Sequence, residues 1–183
     1  MRKNMGKYRV KRGIVLFAVL ALRLSCWPQT KAASPEKPVF RSPFVLKLHV
    51  DEKRYYEQPF ESVPYVADGN VYLFKGENFG VNVTAVGGRL SVSYERDTAK
   101  ADVEFMFTQE KAQDGYMMLL VTQNRLRRKL LFDALMTVPG KPGIIPTSIL
   151  PVEPMLASYE SWPHPIVQLV LTNFRFSAAN GSK

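Results

Sequence analysis

Between residues 44 and 108 apolar side chains return at every second position in one short segment after another. A period of two puts neighbouring side chains on opposite faces of an extended chain. Each such segment therefore has one face to bury and needs a sheet to bury it in. Phe44-Val45-Leu46-Lys47-Leu48-His49-Val50 sets Phe44, Leu46, Leu48 and Val50 on one face, with Lys47 and His49 on the other. Val71-Tyr72-Leu73-Phe74 follows Asp68-Gly69-Asn70, a turn signal. Val81–Ala85 and Leu90–Tyr94 flank Gly87-Gly88. Two glycines supply the positive φ angles of a tight primed turn, so this pair reads as a β-hairpin. In Val103–Thr108 the inward set is Val103, Phe105 and Phe107.

The second half is less uniform. Leu126, Leu130, Ala134 and Val138 fall four apart, as on a helix, yet residues 130–138 also alternate. Met117–Val121 before them is a short apolar run of core-strand type. Residues 116–138 are read as two strands joined near Asn124-Arg125, because the neighbouring elements are strands and a helix would need different partners. Residues 139–165 hold seven of the thirteen prolines. Proline removes a ladder donor, so this stretch is expected to be an irregular connection, with a short strand near Thr147–Leu150 and a helical turn after Pro154. Residues 166–176 suit a strand buried on both sides, with Val167, Leu169 and Leu171 facing one way and Ile166 and Val170 the other. The expected fold is all-β: a mainly antiparallel β-sandwich of seven to nine strands, immunoglobulin-like in general architecture, in a single domain. It lacks the Cys…Trp…Cys signature of antibody domains. The alternative is a flattened β-barrel with an apolar interior.

The net charge of +9 suggests a polyanionic partner until its position is noted. Residues 1–32 carry eight basic residues and no acidic one; the remainder carries 17 basic and 16 acidic. Arg2–Arg12 is basic, Ile14–Leu22 is apolar, and Thr30-Lys31-Ala32 offers small residues at the −3 and −1 positions. These are the three parts of a secretory signal peptide. An apolar run of nine residues is too short for a spanning helix of about 20, so no stable membrane span is expected after cleavage following Ala32. Leu24-Ser25-Cys26 resembles the end of a lipoprotein signal, but Arg23 stands where an aliphatic residue belongs, so lipidation of Cys26 is the minor alternative. The expected organisation is signal peptide 1–32, linker 33–38, β-sandwich domain 39–177 and flexible tail 178–183, in an exported protein, periplasmic or secreted.

Cys26 is the only cysteine, so a processed domain has no disulfide and no thiolate chemistry. His49 and His164 are the only histidines, neither at ligand spacing from the other, and no metal or cofactor is expected. Nucleophile-elbow and phosphate-loop motifs are missing. Asp102 and Glu104 share a strand face and are expected to be solvated. His164, held between Pro163 and Pro165, is the only basis for a hydrolase, which ranks third among the functions considered. An exported non-enzymatic binding module ranks first, on the strength of aromatic residues in or beside proline-bearing loops: Tyr55, Tyr56, Tyr159 and Trp162, with His164 beside them, are the candidate ligand contacts. A carrier of an apolar small ligand ranks second, with Met117, Met118, Phe132 and Met136 lining the cavity. Arg125, Arg127, Arg128 and Lys129 form the one basic cluster, a patch for phosphate or anionic lipid if they sit on a hairpin tip. No aromatics are interleaved with them, so nucleic acid is not an expected partner. An unknown protein or a small apolar ligand is.

Overall fold

The computed structural model describes residues 37–86 and 89–178. The segment expected to be a signal peptide, Cys26 within it, the Gly87-Gly88 dipeptide and the residues after Ala178 lie outside the described residues. The described chain forms twelve strands: β1 (Phe44–His49), β2 (Tyr55–Phe60), β3 (Val66–Ala67), β4 (Asn70–Leu73), β5 (Glu77–Val86), β6 (Arg89–Glu95), β7 (Val103–Ala112), β8 (Gly115–Asn124), β9 (Leu130–Thr137), β10 (Ile145–Thr147), β11 (Ala157–Trp162) and β12 (Gln168–Phe176). Every pairing is antiparallel.

Two five-stranded sheets face each other, in the orders β10-β9-β12-β4-β3 and β11-β8-β7-β5-β6. Phe105 of the second sheet lies edge-on to Phe132 and Phe174 of the first, at ring distances of 6.0 and 6.5 Å. The architecture is thus the β-sandwich that alternation called for, and the sheets do not close into a barrel, which removes the barrel alternative. Val103, Phe105 and Phe107 are fully buried, as the period of two required. Full burial of each such phenylalanine contributes roughly 1.5–3 kcal/mol over leaving it exposed.

Local rules account for several details. Asp68 and Gly69 both take positive φ, 51° and 76°, and make the two-residue turn between β3 and β4. Val86 pairs with Arg89, the register a two-residue connection gives. Gly76 (φ 89°) turns the chain into β5, so the glycine-bounded stretch 76–80 is mostly strand.

Four expectations need correction. Tyr55 and Tyr56 belong to strand β2, not to a loop, and Pro59 is tolerated because β2 pairs only with β1. Tyr159 and Trp162 lie on β11, an edge strand paired to β8, inside the stretch read as irregular. No helical turn follows Pro154; a turn with Met155 at φ 59° takes its place. In β12 Leu169 and Leu171 are buried, but Ile166 precedes the strand and Val170 is only half-buried, so the strand has one core face. A bulge between Thr172 and Arg175, with Asn173 at φ 55°, then brings Phe174 into the core.

The β1–β2 hairpin covers one end of the sandwich. Phe44 and Phe60 pack on Phe74 at 5.1 and 4.8 Å. The Gln109 amide bonds both backbone groups of His49, accepting from N at 2.8 Å and donating to O at 2.9 Å, as a neighbouring strand would. Beside this hairpin Arg41 is buried. Its guanidinium pairs through Nε and Nη2 with the Glu77 carboxylate, donates to the carbonyls of Pro64 and Tyr72 at 2.5 Å each, and lies 4.0 Å over the Tyr65 ring. Glu77 also accepts from the amide of Phe74 at 2.9 Å. One ion pair thereby fastens the N-terminal segment to the turn from β4 into β5.

Candidate interaction surface

β8 ends at Asn124 in one sheet and β9 begins at Leu130 in the other. The basic segment 125–129 is therefore a crossing between sheets and not the hairpin tip its sequence suggested. A second segment, 150–156, comes to lie beside it. Leu130 and Val152 exchange both backbone hydrogen bonds, at 3.0 and 2.9 Å.

Asn124 joins the two segments. It is fully buried, and its Nδ2 lies within 3.1 Å of the carbonyls of Arg128, Val152 and Glu153. Its Oδ1 accepts from Leu126 N at 3.0 Å, and its own amide donates to Leu156 O at 2.9 Å. A buried amide with every polar atom engaged fixes its partners firmly, since leaving any of them unpaired costs about 1–3 kcal/mol. Met155 N adds a bond to Leu126 O at 3.1 Å.

The four cations have separate fates. Arg125 Nη2 pairs with Glu104 at 2.6 Å and Nη1 donates to Thr98 O at 2.8 Å. Lys129 pairs with Glu153 at 2.6 Å. Arg127 and Arg128 are exposed, and among the described residues neither has an ion-pair partner. The Arg128 guanidinium stacks 3.9 Å over the Phe176 ring, which orients it and leaves its charge in place. Glu104 is consequently not the solvated group expected, and Asp102 is not either: its carboxylate accepts from Val83 N at 2.8 Å.

Segment 150–156 also exposes large apolar side chains that sequence reasoning did not single out: Leu150 is 67% exposed, Met155 58% and Leu156 57%. Tyr159, a candidate from the sequence, is 69% exposed on β11. The left-handed conformation of Met155 costs a non-glycine residue roughly 1–2 kcal/mol. Strain of this size persists where surroundings hold it, and it clusters at contact and functional sites. The signal available in sequence was slight: two apolar residues directly after Pro154, where a loop needs none.

The aromatic candidates do not gather into one surface. Trp162 is 7% exposed, lies edge-on to Phe107, and donates from Nε1 to Thr147 Oγ1 at 2.9 Å. It is a core residue of β11. Tyr55 is exposed on β2 under the Lys47 ammonium at 4.5 Å. Of the five, only Tyr56 lines the cleft of about 580 Å³ between β2 and the turn at 140–143, with Gln58, Phe60, Thr137, Lys141 and Gln168. His164 is half-buried after β11; burial first, then the Lys141 charge, pushes its pKa below the usual imidazole value. Both effects favour neutral imidazole, and no carboxylate contributes. Met118, Phe132 and Met136 are buried in the core, while Met117 is on the opposite face of β8. Phe132 is 5.1 Å from Phe174, so rings fill this part of the interior.

Among the described residues no three His, Cys, Asp or Glu side chains gather at metal-binding distance, and no helix is long and apolar enough to cross a membrane. Comparison of the chain with family models, with curated proteins and with solved structures found no match.

Proposed function

We propose that the protein is an exported, non-enzymatic binding module whose contact surface is formed by residues 125–129 and 150–156. One observation carries the reading: Asn124 holds together two segments that present Arg127 and Arg128 beside exposed Met155 and Leu156. Exposed apolar side chains rimmed by polar or charged ones mark interaction sites where they form a contiguous patch. The surface offers charge and apolar area but no nucleophile with a base to activate it, so it suits association and not bond-breaking. The basic-apolar-polar opening of the chain supports export.

Oxidative footprinting of methionines tests the contact. In the envelope or secreted fraction of cells that make the protein, Met155 should be several-fold less oxidised than in purified protein. Met106, exposed on the outer face of β7, serves as the internal reference. Equal labelling of Met155 in both samples refutes the reading. Export is tested separately by the mass of the processed chain, which should begin at Ala33.

A further inference from the structure

The partner of this surface follows from its chemistry, and the inference rests on the reading just given. We propose that the end of the sandwich carrying Arg127, Arg128, Met155 and Leu156 docks on an anionic lipid surface. Three features favour a bilayer over another occupant.

The first is charge. Two carboxylates beside the basic segment are paired within the protein, Glu104 with Arg125 and Glu153 with Lys129, and a third, Glu160, accepts from Leu150 N at 2.8 Å. What remains exposed is a pair of adjacent arginines, so the surface is complementary to a layer of negative headgroups. A second copy of the chain, docked on the same end about a two-fold axis, would bring these arginines toward their own counterparts.

The second is the form of the apolar component. Met155 and Leu156 sit side by side in a turn, on long unbranched or γ-branched side chains, 58% and 57% exposed. One or two exposed apolar side chains beside arginines fit the boundary between headgroups and acyl chains, where apolar groups enter and guanidinium groups stay with phosphate.

The third is the backbone. A loop entering that boundary leaves bulk water, so its polar groups need partners within the protein. Several of them have such partners here. The carbonyls of Leu126, Arg128, Val152, Glu153 and Leu156 all accept hydrogen bonds, most from Asn124. The bond from Met155 N to Leu126 O ties the strained residue to the basic segment, so the apolar and cationic parts are presented together.

The test places an environment-sensitive fluorophore at this position in the full chain, as Met155→Cys in a Cys26→Ser background. The same label at Met106→Cys, on the outer face of β7, is the reference. Vesicles of phosphatidylcholine with about one-third phosphatidylglycerol should shift the emission of the first label to the blue and leave the second unchanged, and pure phosphatidylcholine should shift neither. Arg127→Gln with Arg128→Gln should weaken the response by about 25-fold, at about fivefold per arginine beside an anionic bilayer. All four sites are exposed, so thermal melts should match wild type. The proposal is overturned by no shift, by an equal shift on neutral vesicles, by indifference to the arginine changes, or by a shift without vesicles that grows with protein concentration. Protection of Met155 in cells together with any of these results would leave the binding surface standing and assign it to a protein.

Discussion

The buried pair of Arg41 and Glu77 predicts a large and specific loss of stability on Glu77→Gln. The substitution keeps the shape of the side chain and one oxygen, which can still accept from Phe74 N. It removes the negative charge facing a guanidinium whose side chain is only 4% exposed. Stranding one member of a buried pair costs about 3–5 kcal/mol. The low end, about 3 kcal/mol, applies here because the carbonyls of Pro64 and Tyr72 and the Tyr65 ring still hold the cation. At about 2.1 cal/mol/K per residue, a domain of about 140 residues has an unfolding entropy near 0.3 kcal/mol/K, so the melting temperature should fall by about 10 °C. Urea unfolding followed by tryptophan emission should show the midpoint drop with its slope unchanged. Arg41→Met alone should cost a similar amount, and the double variant Arg41→Met/Glu77→Gln should regain at least half of the summed loss, because no charge is then left buried. A Glu77→Gln protein within about 0.5 kcal/mol of wild type, or a double variant that loses the full sum, would refute the reasoning.

Three further outcomes are expected. Gly80→Ala would set a Cβ 2.1 Å from the Cβ of Ala101, so thermal melts should show a loss of about 1–3 kcal/mol that Ala101→Gly largely reverses. Asn124→Ala should cost about 2–3 kcal/mol and open segment 125–129 to limited proteolysis, since carbonyls of two crossings lose their donor. His164 is held neutral in the fold below the pH at which the unfolded chain, with the ordinary value of 6.5, takes up its proton. Its contribution is thus present above 6.5 and lost as pH falls through the lowered folded value, and His164→Gln should flatten that part of the urea-midpoint profile.

Much of the fold was legible because its central strands obey a simple rule. β4, β5, β6 and β7 each bury one face, and alternation with turn residues located all four. β2 and β11 escaped for a physical reason. Tyr55–Phe60 and Ala157–Trp162 are edge strands with partners on one side only, so they tolerate proline and polar residues and carry weak patterns. The crossing after Asn124 was illegible because a hairpin and a passage between sheets place the same demands on residues 115–137; only the partners of β8 and β9 differ. The basic cluster was visible as four residues, but which cations remain exposed depended on Glu104 and Glu153, 21 and 24 positions from Arg125 and Lys129. Arg41 gave no signal at all, since its carboxylate is 36 residues away and the Tyr65 ring it lies over belongs to another segment.

The place of β12 in its sheet constrains how the chain can be made and moved. β12 is the middle strand of five, flanked by β4 and β9, and Leu171 pairs at once with Val71 and Ala134. Until residue 176 has been synthesised, β3–β4 and β9–β10 have no common neighbour, and one wall of the core is missing. Folding must therefore wait on pairings about 100 residues apart in sequence, the kind that lowers folding rates because loop closure precedes any gain. A chain that stays open until its last strand arrives remains threadable for longer. That delay is a kinetic property of the topology itself.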